Sequence, residues 1–115
     1  MQLDPTILVI AAAAAVLLLK LLLSRRAPAA LVAEKIKAGA TVVDVRSEGE
    51  FRGGAYRGAI NVPLQVLSSK LDRIPKGRPV VVYCASGSRS AMAVRLLKKA
   101  GYQDVCNAGG LHQLP

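Results

Sequence analysis

Cys84 and Arg89 stand near the two ends of a short run, Cys84-Ala85-Ser86-Gly87-Ser88-Arg89-Ser90. Small residues and a glycine let a backbone curl until several N–H groups converge on one point, which makes a nest for an anion. A helix beginning directly after such a loop adds the positive end of its dipole. A cysteine placed there has a depressed pKa and exists partly as thiolate, its nucleophilic form. Arg89 either braces the loop or lends positive charge to a bound anion. The competing reading of Cys84 is a small buried hydrophobe that ends a strand. The placement between an apolar strand and a helix favours the nucleophile.

Few other residues offer chemistry. Cys106 is the only other cysteine and His112 the only histidine, so no Cys/His spacing suits zinc. Cys106 is read as a packed strand residue, with a resolving thiol for Cys84 as the alternative. The net charge of +9 fits an anionic substrate, an anionic membrane surface or nucleic acid. Nucleic-acid binding wants a basic stripe interleaved with stacking aromatics, and only Phe51, Tyr56, Tyr83 and Tyr102 are present, so no nucleic-acid partner is expected.

The elements that must position Cys84 alternate in character. Leu31–Ala38 reads as a short helix stopped by Gly39, and Thr41–Val45 as a buried strand. Ala59–Val62 is a brief strand ended by Pro63, Leu64–Leu71 looks helical, and Pro75–Pro79 is a turn. Val80–Tyr83 is the clearest strand, and its continuous apolar run suits burial on both faces. Ser88–Ala100 is the clearest helix, with Ala93, Leu97 and Ala100 on one face and Gly101 as its stop. Val105-Cys106 begins a last strand. This alternation implies an α/β domain with a small, mainly parallel sheet flanked by helices. Cys84 then lies beyond the carboxyl end of a strand, where open α/β sheets bind ligands.

With these residues placed, the domain resembles a single-domain rhodanese, a member of the sulfurtransferase family. The residues that carry the resemblance are Val43-Asp44-Val45-Arg46, Glu50-Phe51, Gly58 to Pro63, Val82-Tyr83-Cys84 with Gly87, Arg89 and Ser90, and Gly101-Tyr102 followed by Gly109-Gly110. They span Leu31 to Leu111 in family order. The resemblance implies a persulfide on Cys84, formed from a small anionic sulfur donor such as thiosulfate and passed to cyanide, a thiol or a protein acceptor, with neither a metal nor an organic cofactor expected. It assigns Ala85, Ser86, Gly87, Ser88, Arg89 and Ser90 to the loop that holds the outer sulfur, and Asp44, Arg46 and Glu50 to structural support. Cysteine phosphatases and arsenate-reducing relatives place five residues between Cys and Arg; four stand here, and the tighter loop suits a sulfur atom better than a phosphoryl group. A third reading is a non-catalytic module that docks a partner at a membrane.

Three departures from the family pattern bear on stability and specificity. Gly54-Ala55-Tyr56 replaces the usual Gly-His-Ile, so Ala55 stands where a loop-packing histidine is expected. The family's opening strand is shortened into Ala27–Ala30. The chain ends at Pro115 where the family continues with an aromatic and a final helix, which implies reliance on the membrane or a partner for stability.

Residues 1–5 form a short lead into an apolar segment, 6–23, broken only by Lys20. Asp4-Pro5 is a helix start. Eighteen residues at ~1.5 Å rise reach roughly 27 Å, about the hydrocarbon thickness of a bilayer. The segment is read as a single transmembrane helix, against a cleaved signal peptide and a buried core helix. Lys20 lies near its C-terminal end and Arg25 and Arg26 follow it, which by the positive-inside rule is expected to place the catalytic domain on the cytoplasmic side. Residues 24–30 are read as a linker and 31–115 as the domain.

Overall fold

A computed structural model describes residues 2–23 and 25–115. Four parallel strands form one sheet in the order β2-β1-β3-β4: β1 (Thr41–Asp44), β2 (Ile60–Asn61), β3 (Val80–Cys84) and β4 (Val105–Gly110). The helices are α1 (Pro5–Leu23), α2 (Ala29–Lys37), α3 (Glu48–Arg52) and α4 (Ser88–Lys99). The expected α/β architecture with a parallel sheet is what the chain adopts.

Alternation along β3 sends its side chains into two cores. Val80, Val82 and Cys84 join Val43, Val45, Ala93, Val94 and Leu97 under α4. Val81 and Tyr83 join Val32, Val42 and Ala108 under α2. All five β3 residues are buried, as a central parallel strand requires.

Several boundaries differ from the sequence reading, each for a physical reason. Leu64–Leu71 is not an α-helix but two successive 3-10 turns, Leu64–Ser69 and Leu71–Arg73, because only Leu67 of the first is fully buried and little packing rewards a longer helix. Helix α3 was not anticipated; it is one short element started by a capping box in which Ser47 and Glu50 satisfy each other's backbone N–H groups. Strand β4 runs four residues beyond Cys106. It accommodates Gly109 and Gly110 through a register shift against β3 after Val82, which leaves Ala108 as the extra residue.

The stretch read as linker is largely structured. Arg26 bridges Asn107 in parallel pairing, the Ala27 N–H donates to the Asn107 carbonyl at 2.7 Å, and α2 already begins at Ala29. The opening strand thought to be shortened into Ala27–Ala30 therefore survives as a minimal edge beside β4, at Arg26-Ala27. Ser24 and Met1 lie outside the described residues.

Helix α1 starts as expected, with the Thr6 N–H donating to the Asp4 carboxylate at 2.8 Å. It is the one described helix long and apolar enough to cross a membrane, and none of its Pro5–Leu22 window is buried. That removes the buried core helix as an explanation of this segment.

Candidate active site

Cys84 closes β3, and the chain then turns through Ala85-Ser86-Gly87 into α4. Gly87 permits the turn: its φ is +102°, a left-handed value that a side chain resists. A Cβ at Gly87 would also lie 3.4 Å from the Gly109 Cα. The loop thus folds back over the end of β4. Gly110 completes the close approach, since a Cβ there would collide with the Ala85 carbonyl oxygen.

This geometry aims donors at sulfur. The Gly87 N–H lies 3.0 Å from Cys84 Sγ and the Ser90 N–H 3.4 Å, while Ser90 Oγ lies 3.3 Å away. Burial alone pushes the Cys84 thiol up, because a thiolate loses hydration. The Ser90 hydroxyl and the backbone N–H groups of Ser90, Gly87 and Ser86 outweigh it, and the net shift is downward. Cys84 has no exposed surface, so its sulfur combines a low-dielectric setting with aimed donors.

Arg89 does not point into the loop. Its guanidinium grips Glu50 through two bonds, Nη1 to Oε1 at 2.7 Å and Nη2 to Oε2 at 3.1 Å. That fork and the Ser47 backbone N–H hold the Glu50 carboxyl down at about 2. Of the two roles open to Arg89, bracing the loop against α3 is the one the geometry supports. Ser86 and Ser88 pair their hydroxyls at 3.3 Å on the exposed side of the loop.

Asp44 and Arg46 share the carboxyl end of the sheet with Cys84 but lie on its other face. Asp44 is in register with Tyr83, not with Cys84. Arg46 donates through Nε and Nη2 to the Asp44 carboxylate, and Nη2 also reaches the Gly54 carbonyl at 2.7 Å. The pair therefore ties the 53–58 loop to β1. Tyr83 lies beneath it and accepts the Tyr56 N–H at 3.0 Å; burial pushes its phenol up to about 12. Ala55 is exposed in this loop, and His112 stands near Gly110 rather than at the position of the absent histidine.

The sequence reading missed Asn107. Its side chain is buried, accepts from Ser90 Oγ at 2.7 Å and from the Gly109 N–H at 2.9 Å, and donates to the Gly87 carbonyl at 3.1 Å. A lone asparagine inside an otherwise apolar strand was the available signal, since a buried amide needs partners. Among the described residues, no cluster of His, Cys, Asp and Glu could hold a metal ion.

Known proteins share both sequence and fold with this chain. A curated Bacillus subtilis protein, YqhL, is 36% identical over 75% of the chain and 71% of its own length. A sulfurtransferase from Allochromatium vinosum is 38% identical over 60% of the chain and 64% of its own length. The thiosulfate sulfurtransferase PspE of Escherichia coli is 36% identical over 63% of the chain and 71% of its own length. Among solved structures, a rhodanese-related protein from Thermoplasma volcanium superposes with a TM-score of 0.65 at 38% identity, covering 75% of the chain and 85% of its own. A rhodanese with anions from E. coli gives 0.61 at 34% identity, covering 67% and 95%. Such relatives support a general sulfurtransferase role. The rhodanese-like domain model matches residues 28–113, from just after the Arg26–Asn107 bridge to the last turn, and the chain belongs to that family.

Proposed function

We propose that this protein is a sulfurtransferase that carries sulfane sulfur as a persulfide on Cys84. The observation that carries the reading is the convergence of the Gly87 and Ser90 N–H groups and the Ser90 hydroxyl on one sulfur. In the first half-reaction the Cys84 thiolate attacks the outer sulfur of a donor such as thiosulfate; the S–S bond of the donor breaks and sulfite leaves with the electron pair. In the second, a thiolate or cyanide attacks the outer sulfur of the persulfide, and Sγ leaves as thiolate. No external oxidant or reductant enters, and neither step needs a metal.

The complete burial of Cys84 favours a small donor, and the basic surroundings favour an anionic one. Arg25, Arg26 and Arg95 line a groove of about 430 Å³ that also touches Ser86 and Gly87. The acceptor, a thiol or protein sulfur carrier, meets the outer sulfur instead of Sγ. The locked Arg89 speaks against phosphoryl chemistry, in which a free guanidinium would face the bound anion.

The second part of the proposal is location: α1 spans a membrane once and the domain faces the cytoplasm. Support comes from its 19-residue length, its fully exposed apolar surface and the basic residues after it.

The test uses the full chain in detergent. After thiosulfate treatment, intact mass should rise by one sulfur atom, and the gain should be absent in Cys84→Ala. Equal thiosulfate:cyanide turnover in both proteins would sink the catalytic reading, and a folded wild type that gains no sulfur from any donor would favour the partner-binding module. Carbonate extraction and protease protection test the membrane reading separately, and a mature chain lacking α1 would show a cleaved signal instead.

A further inference from the structure

Ser90 has one hydroxyl proton and two claimants for it. Cys84 Sγ lies 3.3 Å from the oxygen, and Asn107 Oδ1 lies 2.7 Å away. The shorter contact gives the proton to Asn107, which leaves Ser90 Oγ as an acceptor toward sulfur. A neutral thiol fits that arrangement, since S–H can donate to Oγ while Oγ–H donates to Oδ1. A thiolate does not: it has no proton to give and needs the hydroxyl to turn. Asn107 can release it without being orphaned, because the Gly109 N–H continues to donate to Oδ1 at 2.9 Å.

The amide is held firmly for this purpose. Its Nδ2 donates to the Gly87 carbonyl at 3.1 Å, its residue is buried, and its backbone carbonyl accepts the Ala27 N–H at 2.7 Å. Asn107 is thus fixed from the loop side and from the edge strand, while the hydroxyl between it and Cys84 is free to rotate.

We propose that Asn107 is a positioning residue that acts through Ser90, holding the hydroxyl proton while Sγ is neutral and yielding it when charge develops on Sγ. Given the persulfide reading above, the inner sulfur is neutral while loaded, and the proton stays with Asn107. When an acceptor removes the outer sulfur, the S–S electron pair collects on Sγ. The Ser90 hydroxyl then swings from Oδ1 to Sγ and stabilises the leaving thiolate. No proton is gained or lost by the pair; one hydrogen bond is exchanged for another.

The charged and titratable groups around the site come from several elements. Arg89 on α4 is paired with Glu50 on α3, and Asp44, Arg46, Tyr83 and Cys106 lie on the other face of the sheet. Arg25 and Arg26 from the edge and Arg95 from α4 line the groove that touches Ser86, Gly87 and Asn107, and His112 stands beside Gly110. None of them stands between Ser90 and Asn107.

The proposal makes a prediction of unusual sign. If Asn107 only supported the loop, Asn107→Leu would loosen the converging N–H groups and raise the Cys84 midpoint or leave it unchanged. If it competes for the hydroxyl proton, Asn107→Leu frees that proton for sulfur and makes the ionisation constant about tenfold larger. The measurement is the ultraviolet thiolate absorbance of the full chain against pH, in a Cys106→Ser background, taken as the difference from the matching Cys84→Ala protein. Ser90→Ala should raise the midpoint, and in that background Asn107→Leu should change the ionisation constant less than about twofold. A raised or unchanged midpoint in Asn107→Leu, or an equal shift with and without Ser90, would overturn the proposal. Asn107→Ala supplies the same readout if the leucine variant does not melt cooperatively. The titration needs no sulfur donor, so a protein that fails to form a persulfide would defeat the proposed function and leave this test to be decided by its own result.

Discussion

Cys84 and Cys106 are both strand cysteines without a disulfide, and one sheet separates them. Cys84 ends β3 on the α4 face; Cys106 sits inside β4 on the α2 face, in register with Val81. Burial pushes both thiols up. Cys106 has nothing nearby that overcomes it: Asp104 raises it further, the positive charges of Lys35 and Lys98 only partly offset this, and its pKa stays raised. Cys84 meets the same cost and ends below its ordinary value, because four donors face it. Aimed hydrogen bonds, not exposure, separate the thiol with a lowered pKa from the one with a raised pKa. The opposite faces also remove the resolving role considered for Cys106, since a disulfide would have to pass through the sheet.

The two faces differ in the same way. The α4 face carries Cys84, the Ser90 hydroxyl that lies between it and Asn107, and a loop braced by Arg89 and Glu50. The α2 face carries the Asp44–Arg46 pair, which fixes a neighbouring loop and touches no reacting atom.

The largest expected effect tests the comparison directly. Cys84→Ala should reduce persulfide formation and transfer to background, measured by intact mass and by cyanide turnover. Next comes Asp44→Ala, which leaves Arg46 buried without its partner and should cost about 3 kcal/mol in urea unfolding. Its Cys84 thiolate titration should be unchanged at low denaturant; a shifted titration would show that the α2 face does reach the site.

Glu50→Gln should act on the other face and in the other manner. Transfer should fall several-fold as Arg89 loses its fork, with a small change in melting temperature. The sign of its pH dependence follows from the lowered Glu50 carboxyl. The ionised pair contributes fully above the unfolded carboxyl range of about 4.3, and the contribution fades as pH falls toward about 2. The wild type should therefore keep its melting advantage over Glu50→Gln at mildly acidic pH and lose it near the lower value. The smallest effect belongs to Cys106→Ser, expected to leave transfer unchanged and to alter stability by less than about 1 kcal/mol. A marked loss of transfer there would break the contrast between the two cysteines.

Local features were legible in the sequence. The Val80–Tyr83 run has no other use than a buried strand, and Cys84 through Ser90 joins it to a helix whose apolar spacing is plain. Gly87 is where the turn needs it. Less visible were features that depend on distant partners. Asn107 acquires its meaning only from Ser90 and Gly87, brought beside it by parallel pairing of β3 and β4. The Arg26-Ala27 edge depends likewise on β4. Helix α3 had a readable signal in Ser47 to Glu50, but its single turn is too short for apolar periodicity to reveal. The 3-10 turns after Pro63 carry leucines at helical spacing, and only the depth of burial decides against a full helix.

The pairing of Ala27 with Asn107 has a consequence for reach. Only Ser24 and Arg25 separate the last residue of α1 from the bridged Arg26, and Arg26 is already part of the sheet. A domain on a slack tether samples a wide shell and meets partners at an effective concentration set by the tether's length. A connection of two residues is too short for such a shell. If α1 lies in a bilayer as proposed, the loop that holds Cys84 stays within a short reach of the lipid, more a fixture than a pendulum. Acceptors that diffuse in the same plane would meet it by a two-dimensional search, and lengthening the chain between Leu23 and Arg26 by a few glycines would slow delivery to them while sparing small soluble acceptors.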